Sequence, residues 1–213
     1  MEQIFIFLDH SNIAVGAPHR RYLDFGNLKS YLSSGGIILE AFAYVPIDPR
    51  RPMEAQETCN ELWDNGWCVQ PKIGKLAGNG WKGNVDVEMA IDIMRIAVTI
   101  KPDIIVICSG DGDMLPVVRE LRKMGIRVEI ASFRNCLDRT LRRESSGFIC
   151  LDTWLEESAA AGAADMDAPD AEELFAEDDT EPEAVPRAHH TRIDEWQSPR
   201  ENSEVPSARQ FSR

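Results

Sequence analysis

At 213 residues with 43% hydrophobic content, the chain can build the core of one ordinary globular domain and still carry an appendage. Its formal net charge of −13 comes mostly from one end, since residues 1–155 hold 18 Lys+Arg against 20 Asp+Glu whereas residues 156–213 hold 5 against 16, so the acidity says little about what the near-neutral part binds. Five cysteines without a CxxC pair exclude a disulfide framework and read as reduced thiols in a cytoplasmic setting.

The amino terminus, MEQIFIFLDHSN, has no basic leader, and no later run approaches the roughly 18 apolar residues of a membrane span. Taken in chain order, apolar runs bounded by turn residues predict strands at 4–9, 37–45, 67–71, 103–109, 126–131 and 148–151. Segments of helical spacing fall between them at 25–33, 53–65, 85–99, 114–124 and 137–143. Such alternation implies an α/β fold with a mostly parallel sheet covered on both faces. The central helix carries Val85, Met89, Ile93, Ile96 and Ile100 on one face and is stopped by Pro102.

After Trp154 the apolar period fades into AAAGAA and then into an acidic stretch, 156–183, without Lys or Arg. A segment of that composition cannot bury enough surface to offset its ordering entropy, so two parts are expected: a domain over 1–155 and a disordered acidic tail over 156–213. The last part of the tail, RIDEWQSPRENSEVPSARQFSR, reads either as solvated linker or as a short motif for a protein partner.

Four aspartates stand where strands end or helices begin: Asp9 after the first strand, Asp86 in KGNVD, and Asp111 with Asp113 in SGDGD. Carboxylates at the carboxyl ends of parallel strands form ligand sites, and hard cations such as Mg²⁺ or Mn²⁺ take a few such oxygens and keep several waters. Like charges brought together call for a cation. Each residue also has a structural reading. Asp86 suits the first turn of a helix capped by Asn84, and Asp113 suits capping the helix that begins near Met114, with Pro116 in its first turn. In DHSN, Ser11 and Asn12 either orient Asp9, contact a phosphate oxygen or make an Asx turn, and His10 reads as a bystander rather than a general base. Ser109 begins the SGDGD turn and is a further candidate for substrate contact. Asp92 reads as the partner of Arg95 in a surface ion pair.

The loop IGKLAGNGWKG supplies Lys75, Trp81 and Lys82, charge for phosphate and a ring for stacking on a base, or else a mobile loop with a buried Trp. Two basic clusters, Arg119, Arg122, Lys123 and Arg127, then Arg134, Arg139, Arg142 and Arg143, would track a phosphate backbone or simply coat helix faces.

The motifs FIFLDHSN, KGNVDVEMAIDIMRIA and IIVICSGDGDMLPVVRELRKMGIRVEIAS, in that order, resemble the NYN domain, the LabA-like (DUF88) branch of the PIN-like nuclease superfamily. The resemblance covers residues 3–152. It implies a Rossmann-like three-layer α/β/α sandwich and a Mg²⁺- or Mn²⁺-dependent ribonuclease site, with Asp9, Asp86, Asp111 and Asp113 at the metal-binding positions and Asn12 as the amide of the first motif. Two departures are His10, where the family has a small residue, and Ser145–Ser146, where it has an Ala-Asp pair.

The leading expectation is a ribonuclease that hydrolyses single-stranded or structured RNA, with the four aspartates catalytic and Lys82, Asn12 and Ser109 on the substrate. The alternative is an RNA-binding or regulatory adaptor of the same fold with weak or no turnover. An aspartate-nucleophile phosphatase is disfavoured because Ser11 stands where its second aspartate is needed. A homodimer is compatible with the apolar pattern, which does not demand one.

Overall fold

The apolar run QIFIFLD is buried from its second residue onward and forms β1 (Gln3–Asp9). The chain continues through α1 (His10–Gly16), α2 (Phe25–Leu32), β2 (Ile37–Ile47), α3 (Pro52–Asp64), β3 (Cys68–Ile73) and a short hairpin, β4 (Lys75–Ala77) with β5 (Gly80–Lys82). It then passes through α4 (Asp86–Thr99), β6 (Ile104–Cys108), α5 (Leu115–Lys123), β7 (Arg127–Ser132), α6 (Arg139–Glu144), β8 (Gly147–Cys150) and α7 (Leu151–Met166). The computed structural model describes residues 1–18, 23–33, 35–78 and 80–166, with side chains as far as 160.

Six strands form one sheet in the order β3-β2-β1-β6-β7-β8, and each neighbouring pair is parallel. Successive side chains of a strand point to opposite faces, and β1 and β6 are apolar at both parities, so the sheet is packed on both sides. Ile4, Ile6, Leu8, Val106 and Cys108 face one core with residues of α1, α2, α3 and α7. Phe5, Phe7, Ile105 and Ile107 face the other with residues of α4, α5 and α6. This is the expected α/β sandwich.

The α4 helix buries Val85, Met89, Ile93 and Ala97 at an unbroken spacing of four, while Ile100 is 48% exposed. The expected stripe is therefore corrected at its end: Ile100 lies beyond the last turn, as the C-cap, where it has rotated away from the core.

Helix α7 was not anticipated, and it crosses the expected boundary between 155 and 156. It is anchored by Trp154, fully buried, whose Nε1 donates to Asn27 Oδ1 at 2.7 Å. Trp154→Ala is expected to remove about 3–5 kcal/mol of stability, the cost of deleting a buried aromatic, read as a lowered midpoint in urea denaturation. The tail expected to be disordered lies, from 167 onward, outside the described residues. No helix among the described residues is long and apolar enough to cross a membrane.

Candidate active site

Strand order reverses at β1, with β2 and β3 on one flank and β6, β7 and β8 on the other. A reversal of this kind opens a crevice at the carboxyl ends of the two central strands. Asp9 ends β1 at that edge, and Ser109, Gly110 and Asp111 follow β6 there. Asp9 is also the N-cap of α1: its Oδ1 accepts from the Asn12 N–H at 3.1 Å and from Ser11 Oγ at 2.7 Å. Burial pushes its carboxyl above the ordinary value, the bonds from Ser11 and Asn12 pull it back, and the nearby Asp111 adds to the rise.

The strand-end of the third motif, after β6, is held by cross-links rather than by its own turn alone. Asn12 Oδ1 accepts the Gly110 N–H at 2.9 Å, and Ser109 Oγ accepts the Asp111 N–H at 3.2 Å. Gly110 has no room for a side chain, because a Cβ there would strike the Cys136 carbonyl and Ser132 Oγ. Ser109 is wholly buried, so the expected substrate contact is replaced by a role in setting the turn. Asn12→Ala leaves the buried Gly110 N–H without its acceptor, and a loss of about 1–3 kcal/mol is expected in thermal unfolding.

The expected capping by Asp113 is also corrected. A 3-10 turn, Gly112–Met114, precedes α5, and its cap is Asp111, whose Oδ1 accepts the Asp113 N–H at 2.9 Å. The extra turn leaves the Asp113 carboxylate exposed. Pro116 stands in the first turn of α5 as expected. At α4, Asn84 Oδ1 accepts the Asp86 N–H at 3.0 Å from just outside the helix, where Val85 is the formal N-cap.

These turns bring one carboxylate oxygen each of Asp86, Asp111 and Asp113 within 4.8 Å of one another. The Asp86 carboxyl is raised by burial first and then by Asp9, Asp111 and Asp113. Asp9 stands outside that tight trio but lines the same cleft of about 420 Å³ with Asp86, Asp111, Asn12 and Lys82. A set made only of carboxylates, mutually repelling and partly open to solvent, fits a hard divalent cation that retains waters.

The loop expected over 73–83 is instead the β4–β5 hairpin, on which Lys82 is exposed at the cleft and Trp81 is half-buried. Asp92 pairs with Arg95 at 2.6 Å as expected and also accepts from Tyr44 Oη at 3.0 Å. The first basic cluster is largely spent: Arg119 on Glu144, Lys123 on Glu120 and Arg127 on Glu129. Arg142 lies over the Phe148 ring, while Arg134, Arg139 and Arg143 are exposed.

The sequence from residue 3 to residue 152 matches the NYN domain. The chain belongs to the NYN family. The NYN domain is a PIN-like nuclease family whose members act on RNA and generally use divalent metal ions. A solved structure of a protein of unknown function from Vibrio parahaemolyticus is similar at 23% identity with a TM-score of 0.59, covering 70% of this chain and 92% of that one, a likeness that speaks for the fold. No curated protein matches the chain.

Within this NYN domain the two departures have structural explanations. His10 is half-buried beside Phe25, and burial lowers its pKa to about 4, so it is neutral at physiological pH. Ser146 Oγ accepts the Val128 N–H at 3.1 Å, and its own N–H reaches the Val128 carbonyl, which fixes the start of β8. Two residues at this edge escaped the sequence reading. Cys136 lines the cleft, and Asp138 stands against Gly112 while its Oδ1 caps α6. Asp138 carries the ordinary signature of a helix cap, so only its position beside the SGDGD turn singles it out.

Proposed function

We propose that this protein is a Mg²⁺- or Mn²⁺-dependent ribonuclease that hydrolyses RNA phosphodiester bonds at the cleft between β1, β6 and α4. The observation that carries the reading is the convergence of Asp86, Asp111 and Asp113 within 4.8 Å, with Asp9 and Lys82 along the same cleft. Asp86, Asp111 and Asp113 would hold the cation, and Asp9 would complete its surroundings. When bound, a divalent cation supplies positive charge for the phosphate oxygens and acidifies a water for in-line attack.

The protein's own groups do the rest. Ser11 and the Asn12 N–H both donate to one oxygen of Asp9, Oδ1, and so orient its carboxylate. Asn12 fixes the SGDGD turn through Gly110, which keeps the two halves of the carboxylate set in register. Lys82, exposed on the hairpin, would bind a phosphate of the strand as a point charge. The three ordered motifs support placement in the LabA-like branch, and five unpaired cysteines support a reducing, cytoplasmic setting.

The test is cleavage of labelled single-stranded and hairpin RNA by the full chain in Mn²⁺ or Mg²⁺. RNA that binds and stays intact would replace the nuclease with an adaptor of the same fold.

A further inference from the structure

A second cleft, about 470 Å³, opens beside the carboxylate cleft and shares Ser11 and Val15 with it. Its walls come from α1, α2, α3, the end of β2 and the β4–β5 hairpin, with the half-buried His10, Pro46 and Trp81 among the lining and Phe25 and Val45 buried behind them. Trp81 is held in a fixed orientation: a Cβ on Gly83 would collide with its ring and with Pro46, and a Cβ on Gly74 would meet the ring from the other end of the hairpin. Only glycines at these positions let the indole lie against the backbone.

The rim decides what can enter. It bears Asp48, Glu54 and Glu61, of which Asp48 is paired with Arg50 at 2.6 Å and Glu54 with Arg51 at 3.2 Å. Such a rim offers a phosphate only arginines already committed to carboxylates, while its carboxylate oxygens accept hydrogen bonds from neutral N–H donors. A flat, neutral group rich in N–H donors, attached to a phosphate lying in the adjoining cleft, satisfies both the walls and the rim.

We infer that this cleft is a nucleobase pocket, taking one unpaired base of an RNA strand whose neighbouring phosphate lies among Asp9, Asp86, Asp111 and Lys82. The inference rests on the nuclease reading for the position of that phosphate. It deepens it by naming the substrate class: single-stranded RNA, since a base within a duplex cannot leave its stack without the cost of unpairing. The hairpin residues Trp81 and Lys82 then act on one nucleotide, the ring at its base and the ammonium at its phosphate.

The experiment measures binding of fluorescein-labelled single-stranded RNA, and of the same sequence as a duplex, to the full chain in Mn²⁺, in an Asp86→Asn background where cleavage does not interfere. Thr58→Trp fills the cleft from α3, and Trp81→Leu keeps apolar bulk while removing the ring. Base stacking on an aromatic side chain accounts for a change of about 5- to 150-fold, and each substitution is expected to weaken single-strand binding within that range and leave the weaker duplex binding unchanged. Thr58→Trp keeps the test valid if Trp81→Leu fails to fold. Unaltered single-strand affinity in Thr58→Trp, or duplex bound as tightly as single strand, overturns the pocket. Intact RNA after incubation with the unsubstituted protein in Mn²⁺, with the two variants still weakened in binding, overturns the nuclease reading and leaves the pocket standing. Failure of any RNA to bind overturns both.

Discussion

Asp86→Asn is expected to reduce RNA cleavage by about a hundred- to a thousandfold or more, the scale of losing one preorganised electrostatic group, while raising the melting temperature of the metal-free protein. Asp86 is raised by burial and by three neighbouring aspartates, so its ionised form opposes folding at neutral pH. The N–H that matters for α4 is its own, accepted by Asn84, and an amide at position 86 leaves that bond in place. Removing the charge therefore relieves repulsion without breaking a cap. A rise of about 2–4 °C is expected, the shift that about 1 kcal/mol produces in a domain of this size. Differential scanning fluorimetry in EDTA, beside a cleavage assay in Mn²⁺, reads both effects. A variant that melts lower and cuts normally would assign Asp86 to the fold alone.

Divalent metal is expected to stabilise the protein strongly at neutral pH and hardly at all in acid. Asp9 and Asp86 both have carboxyl groups raised above their unfolded value of 3.8. The folded state thus holds these protons more tightly than the unfolded state, so the metal-free protein gains stability from these two groups as pH falls through their raised values and has gained it fully below 3.8. A cation needs the ionised carboxylates, so its effect has the opposite sign: full above the raised values, lost as pH falls through them. Mn²⁺ at about a hundred times its dissociation constant contributes about 2.7 kcal/mol, or about 5–10 °C in melting temperature at neutral pH. Below both raised values the shift should be small. Because residues 156–213 carry 16 acidic residues, Asp111→Asn is the control that separates the site from the tail. Equal shifts in the variant and in the unsubstituted protein would mean that the metal sits elsewhere.

Six strands were legible because each is an apolar run ended by turn residues, and burial on both faces of a parallel sheet needs that composition. The elements that escaped had no such signal. Helix α1 spans seven residues and buries only Ile13 and Gly16, too little for a period to show. The β4–β5 strands are three residues each, and their pairing depends on Trp81 finding Pro46 and two glycines. Helix α7 buries Leu151 and Trp154 in its first turn, Trp154 and Ser158 both donate to Asn27 Oδ1, and the helix then runs into alanines whose spacing carries no pattern.

At the site, the positions of Asp9, Asp86, Asp111 and Asp113 were legible as element ends, while their division of labour was not. Which aspartate caps depended on a 3-10 turn ahead of α5, and that turn is a local choice the sequence Gly-Asp-Met does not announce. The arginines of α5 read either as a phosphate track or as a charged helix face until Glu144, 25 residues on, is placed beside Arg119. Ser109 read as a ligand contact because nothing in the sequence tells a buried hydroxyl from an exposed one.

The central claim, that Asp86, Asp111 and Asp113 form a cation site which drives RNA hydrolysis, is tested most directly by the rate of single-stranded RNA cleavage as Mn²⁺ is titrated into the full chain and into Asp111→Asn. The account predicts a rate that saturates with metal, falls to background in EDTA and is lost in the variant, which retains the Asp113 N–H cap through its amide oxygen and so keeps its fold. Cleavage that persists in EDTA, or at full rate in folded Asp111→Asn, would contradict it.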